Sequence, residues 1–150
     1  MNWEKIFRKV IVLTIFIFNV SIIFGIIQAE ELDMRRVQLI IKNEIYQVEL
    51  EENQATQALL ERLPLKINMQ ELNGNEKYGM LTKSLPEGKK VSGEIEVGDL
   101  MLYGDDCIVL FYKEFYTPYS YTKLGKIVDK KKLEKNIDKR DKILEVVFSK

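Results

Sequence analysis

Side chains able to do chemistry are few in this sequence and unevenly spread. There is no histidine, which removes the usual general base, the commonest transition-metal ligand and every imidazole-dependent triad. Acid–base work would fall to carboxylates, lysine or tyrosine. The one cysteine, Cys107, excludes an intramolecular disulfide and a Cys-cluster zinc site. With no histidine and no clear cationic activator, it reads as a small core residue rather than a nucleophile. Aromatic residues, by contrast, are concentrated. Phe111, Tyr112, Phe115, Tyr116, Tyr119 and Tyr121 lie within one short stretch, in a chain with seven Phe and seven Tyr. Interleaved with Thr117 and Pro118, they predict a loop and strand lining a groove, where rings supply contact area and hydroxyls supply orientation. Strand alternation requires some of them to fill the core instead. Glu76 and Tyr78, between Gly74 and Gly79, offer an acceptor and a donor. Together with Asp99, Tyr103, Tyr112, Tyr119 and Tyr121 they form the candidate ligand-binding set. Glu76 has a structural reading too, as an acceptor for its own loop's backbone N–H groups, and Asp99 after Gly98 has one as a turn carboxylate. No catalytic residue is assigned.

Charge narrows the partners. Lys and Arg number 23, as do Asp and Glu, so no basic face is expected to steer the chain toward nucleic acid. The acidic residues Glu94, Glu96, Asp99, Asp105 and Asp106 follow no calcium-loop spacing, and neither a metal nor a cofactor is expected. Lys130, Lys131, Lys132, Lys135, Lys139 and Arg140 are interleaved with Asp129, Glu134, Asp138 and Asp141, the pattern of a solvated helix face.

The chain opens with Lys5, Arg8 and Lys9 against the single acid Glu4, followed by an apolar run from Val10 to Ile27. This is a positive flank before a hydrophobic segment of near-spanning length. Residues 1–29 therefore read as a signal peptide or signal anchor and residues 30–150 as the folded domain. Either way the flank keeps the N-terminus inside and sends the domain across the membrane, to be secreted or anchored. Membrane contact is then confined to residues 1–29, if they are retained.

Within the domain, Val37–Ile41 and Ile45–Leu50 flank Lys42, Asn43 and Glu44 and predict a hairpin. Asn53 is a natural N-cap for a short helix ending before Pro64. Leu65, Ile67 and Met69 alternate with polar residues as a half-buried strand. Residues 72–79 read as a loop, and 81–90 as an irregular surface excursion. Leu100–Tyr103 and Cys107–Tyr112 form a second hairpin whose latter strand is buried on both faces. Tyr121–Val128 and Ile143–Phe148 add strands, and Asp129 caps a short basic helix. Six to eight strands with two short helices in so few residues favour a mainly β fold, a closed or nearly closed barrel.

Asn53 with Ala55–Leu60, Leu63-Pro64-Leu65, Asn73-Gly74-Asn75-Glu76-Lys77-Tyr78-Gly79, Leu85-Pro86, Gly98-Asp99-Leu100, Leu110-Phe111-Tyr112 and Gly125 occur in an order and spacing that resemble the cyclophilin-like domain family of small microbial proteins. The resemblance runs from about Val37 to Phe148. It implies a closed cyclophilin-like β-barrel with short helices at its ends and puts the Glu76–Tyr78 segment at the barrel mouth. Cyclophilins proper are prolyl isomerases that use an arginine on the strand after the first helix. No arginine lies between Leu63 and Gly98 here, and lysine lacks the planar fork that fits an amide. The expected function is a non-catalytic, exported module that binds a small molecule or an extended peptide. The alternative is a peptidyl-prolyl isomerase-like or carboxylate-dependent enzyme on the same fold, the latter using Glu76 with Tyr78; a third reading is a structural partner-binding domain of the cell surface.

Overall fold

The computed structural model describes residues 2–150, apart from the side chains of residues 31–34; Met1, the first residue of the expected basic flank, lies outside the described residues. The chain divides into two compact units, one up to Met34 and one from Arg35 to Lys150. The first is a single helix, α1 (Trp3–Met34). Its segment Trp3–Glu30, 28 residues, is long and apolar enough to cross a membrane. The polar side chains inside that segment bond to its own backbone: Thr14, Asn19 and Ser21 donate to the carbonyls of Val10, Ile15 and Ile17 at 2.8, 2.7 and 3.0 Å. Polar groups satisfied in this way are tolerated in an apolar medium.

The second unit opens with the expected hairpin, β1 (Arg36–Ile41) and β2 (Glu44–Leu50). Its two-residue turn places Lys42 and Asn43 at φ 52° and 65°, the left-handed pair that matches strand twist. Helix α2 (Gln54–Leu60) is capped by Asn53, whose side chain accepts from the Thr56 N–H, with the Thr56 hydroxyl answering the Asn53 N–H. Strand β3 (Leu65–Leu72) follows. The stretch expected as a loop is then largely a strand. Asn73 and Gly74, at φ 56° and 76°, turn the chain in a three-residue loop with Asn75, and β4 (Glu76–Met80) pairs at once with β3 through Leu72↔Glu76.

After an irregular passage comes β5 (Lys90–Ile95), absent from the sequence expectation, and then the hairpin β6 (Asp99–Tyr103) and β7 (Cys107–Phe111). Strand β8 (Phe115–Ile127) starts six residues earlier than the alternation suggested. Its aromatic first half pairs with β5, and Pro118 falls opposite the register shift between Val91 and Gly93, a place in a sheet where a missing N–H does no harm. Helix α3 (Lys130–Asn136) is capped by Asp129, and β9 (Ile143–Ser149) ends the chain's regular structure.

All nine strands form one antiparallel sheet in the order β2-β1-β9-β3-β4-β7-β6-β8-β5. Strand β2 also pairs with β8 through Val48↔Ile127 and Leu50↔Gly125. The hydrogen bonding therefore returns to β2 and leaves β5 appended outside the circuit. Period-two alternation divides the buried residues into two clusters. The larger takes Leu39, Val48, Leu100, Leu102, Ile108, Leu110 and Phe148 from the strands, with Leu59 of α2 and Leu133 of α3. The smaller, on the opposite face of β6 and β7, holds Ile95, Met101, Cys107, Val109, Phe111 and Tyr121.

The β2–β8 seam depends on a close backbone approach. A Cβ on Gly125 would lie 2.4 Å from the Glu49 carbonyl oxygen and 3.0 Å from the Leu50 Cα, atoms that move only if the strands part. Gly125→Ala is expected to cost about 1–3 kcal/mol and to lower Tm by several degrees, followed by near-UV circular dichroism of the full chain in detergent.

Candidate functional site

Four strands bring side chains together on the face of the smaller cluster. Tyr78 and Glu76 come from β4, Tyr103 from β6, Cys107 and Val109 from β7, and Phe115, Tyr119 and Tyr121 from β8. They line a cavity of about 630 Å³, with Asp106, Tyr116, Thr117 and Pro118 at hand from the adjoining turn and strand. That volume lies within the range of about 300–1,000 Å³ typical of small-molecule sites.

The rings form a chain of edge and tilted contacts. Tyr119 meets Tyr103 edge-on at 6.2 Å between centroids, Tyr103 lies 5.6 Å from Tyr121, Tyr121 is edge-on to Phe111 at 5.6 Å, and Phe111 lies 5.5 Å from Phe115. Each such pair contributes about 0.5–1.5 kcal/mol beyond its buried area, so the wall is held by its own packing. Phe111 is fully buried, whereas Tyr116 and Tyr119 remain 75% and 60% exposed, the exposure of a rim. The Tyr78 hydroxyl donates to the Gln70 side-chain oxygen at 3.1 Å, which fixes that ring across the β3–β4 pair.

Glu76 is the charged group of this face. Only 8% of it is exposed, and among the described residues no hydrogen bond or ion pair reaches its carboxylate. The reading in which Glu76 ties down its own loop therefore has no bond behind it. Burial, and then the nearby negative charge of Glu71, push its pKa up to about 7. Cys107 is pushed in the same direction, first by burial and then by Asp106 and Glu76, so it stays a thiol and lines the cavity as an apolar surface.

Five of the seven sequence candidates, Glu76, Tyr78, Tyr103, Tyr119 and Tyr121, line the cavity; Asp99 and Tyr112 do not. Asp99 is a turn residue: it accepts from the Glu96 N–H at 2.9 Å and lies 3.5 Å from the Lys126 ammonium. Tyr112 follows the end of β7 and belongs to the larger cluster. Its hydroxyl donates to the Glu71 carboxylate at 2.9 Å, and burial followed by that bond raises its pKa.

Tyr112 belongs to a polar knot that sequence reasoning missed. Lys77 is 0% exposed. Its ammonium pairs with Glu71, donates to the carbonyls of Asp138 and Asp141 at 2.7 and 2.6 Å, and lies 5.0 Å from the centre of the Tyr112 ring. Glu71 also accepts from the Gly74 N–H at 2.7 Å. The signal available in the sequence was the alternation Glu76-Lys77-Tyr78, which sends Lys77 to the face opposite its neighbours once this stretch is taken as a strand.

Several of the other charges are engaged away from the cavity. Lys126 and Lys130 both bond Glu96 and hold its carboxyl at about 2, while Lys132 pairs with Glu44, so acids on neighbouring elements answer the basic face of α3. Arg62 donates to the carbonyls of Lys83 and Ser84 at 2.5 and 2.6 Å. Among the described residues no arginine or lysine lines the cavity, and no group of three or more His, Cys, Asp or Glu is placed to hold a metal ion.

An antiparallel, mainly β domain with an aromatic cavity on the outer side of its core-bearing strands defines the class. Residues 39–149 match the cyclophilin-like family, and the chain belongs to that family. A similar solved structure is the solution structure of the hypothetical protein AF2241 from Archaeoglobus fulgidus, 22% identical, with a TM-score of 0.57, covering 77% of this chain and 93% of that one. At that identity the likeness concerns the fold. No curated protein matches the chain.

Two outcomes follow from the two glutamates. Lys77→Met leaves Glu71 as an uncompensated buried carboxylate and should cost about 3–5 kcal/mol in denaturant unfolding. For Glu76 the folded state holds its proton more tightly than the unfolded chain does. The stability this gives is complete below the ordinary glutamate value of 4.5 and is lost as pH rises through about 7. Denaturant unfolding across that interval should show the parent losing stability relative to Glu76→Gln, with a constant gap above it.

Proposed function

We propose that this chain is an exported cyclophilin-like domain whose cavity binds a small molecule or an extended peptide without turning it over. The observation carrying this reading is the cavity itself: about 630 Å³, walled by tyrosines in edge and tilted contact and holding one buried carboxyl group. Ring surfaces pack against an apolar body, and phenol and carboxyl groups orient it. Export rests on the positively flanked apolar helix. The return of the pairing to β2 supports taking the domain as a closed barrel, with the cavity on its outside and the packed core within.

Isomerase chemistry finds no support in the cavity lining, which supplies no guanidinium to a twisting peptide bond. A carboxylate-dependent enzyme is the second reading. It is favoured by the burial of Glu76 against the cavity, which pushes its carboxyl up to about 7, a value that suits a group that must both take and give a proton.

Native mass spectrometry of the full chain purified from its own source, released from mild detergent, tests the choice. The expected spectrum shows a retained compound that is recovered chemically unchanged and is lost in Tyr103→Ala and Tyr121→Ala. A compound converted on incubation would establish the enzyme reading, and a bare chain under all conditions would remove the binding reading. The same spectra give the mature N-terminus.

A further inference from the structure

The composition of the cavity wall says more than its size. Beside the rings it presents two carboxylates, Glu76 and Asp106, and no cationic side chain among the described residues. Lys77, next to Glu76 in sequence, is committed on the other face to Glu71 and two backbone carbonyls. Glu76 is more than nine-tenths buried and meets no protein partner.

We infer that the occupant is an organic cation, an ammonium group on an apolar or aromatic body, with its charge against the Glu76 carboxylate and its body among Tyr78, Tyr103 and Tyr121. This rests on the reading of the cavity as a ligand site and specifies what the site takes. A neutral occupant would leave the buried carboxylate unanswered when ionised, and an anion would meet a wall whose charged groups are Glu76 and Asp106. A hard metal ion needs several oxygen ligands at once, more than this wall gathers. An ammonium needs only one carboxylate, and the tyrosine rings attract it through their faces.

The protonation of Glu76 fits this assignment. Glu71 of β3 acts on its carboxyl, whose charge is felt by Cys107 of β7 and Tyr121 of β8; Tyr103 and Asp106 lie at the other end of the β4–β7 pair, beside Cys107 and Met80, whereas Glu76 lies opposite Phe111. Lys77, the cation next to it in sequence, is committed to Glu71, and burial, then Glu71, leaves the Glu76 carboxyl high, at about 7. A bound ammonium would supply the missing charge, and below that pH its binding must first expel a proton.

The test uses the full chain in detergent micelles, with empty micelles as the blank, and three probes of similar shape: 2-phenylethylamine, 2-phenylethanol and 3-phenylpropionate. Calorimetry at about pH 8 should find the amine at least about tenfold tighter than the alcohol, and the carboxylate weakest. The amine's affinity should fall by up to about tenfold per pH unit below about 7, while the alcohol's stays level. Glu76→Gln, checked for an unchanged near-UV spectrum, should erase the preference for the amine, and Glu76→Asp should keep part of it. A capped peptide Ala-Ala-Lys-Ala-Ala run beside them separates the two sources of such a cation: tighter binding than the amine points to a peptide side chain, weaker binding to a free organic amine. Equal binding of amine and alcohol overturns the cation assignment and leaves the aromatic ligand site standing. No binding by any probe to the folded parent overturns both.

Discussion

Strand β7 is buried on both faces, one against the main core and one beneath the cavity, and the rest of the domain is arranged around that fact. Every residue from Cys107 to Phe111 is buried. Ile108 and Leu110 pack into the main core, and Cys107, Val109 and Phe111 pack into the smaller cluster behind the cavity. One strand with its antiparallel partners β4 and β6 is thus the shared wall of core and site. Side chains in the cavity inherit the rigidity of a strand fixed from behind, which is how a binding wall is kept in register without support from mobile loops. A polar residue anywhere in β7 would lack a partner on one face or the other, so the run Cys-Ile-Val-Leu-Phe leaves little freedom of substitution.

The same alternation divides charge. Glu76 and Lys77 are consecutive on β4 and both are buried, yet they face opposite ways and meet opposite fates. Lys77 enters a saturated arrangement of one carboxylate, two carbonyls and a ring face, which joins β4 to β3 and to the segment leading into β9. Glu76 is buried between Leu72 of β3 and Phe111 of β7 with no charge partner among the described residues, and burial, then Glu71, raises its pKa. A carboxyl group kept in this condition reduces the stability of the folded chain at neutral pH and above. Costs of that kind gather at sites where function, rather than folding, sets the residue.

What the sequence made legible was local. The Lys42-Asn43 turn, the Asn53 and Asp129 caps and the doubly buried β7 each follow from a few adjacent residues, and each is present. Of the aromatic residues clustered from Phe111 to Tyr121, Phe115, Tyr116, Tyr119 and Tyr121 line the cavity. What stayed hidden depends on partners far along the chain. Strand β5 is half polar and exists because β8 pairs with it. The Asn-Gly-Asn-Glu-Lys-Tyr-Gly stretch carries loop composition, and only pairing to β3 on one side and β7 on the other makes most of it a strand. A loop has no strand phase, so loop composition alone gives no sign that Lys77 is buried. Tyr112, counted with the groove aromatics, lies just past β7 and bonds Glu71 in the core side of the sheet instead.

Family membership and site chemistry must therefore be argued separately, since a shared fold does not carry activity with it. An isomerase cleft works by offering a planar cationic donor to a peptide carbonyl. In this chain Arg62 instead holds the backbone of Lys83 and Ser84, and the group presented to the cavity is an acceptor with negative charge. A wall bearing an unpaired carboxylate has the electrostatic sign opposite to that of a cleft built on such a donor. A proline peptide presents carbonyl oxygens, which would then approach like charge in a poorly solvated space, whereas a ligand rich in N–H donors or bearing positive charge would complete the wall. Ring faces suit either kind of occupant, so on the proposed reading any selectivity of the cavity would come from Glu76 and not from the tyrosines.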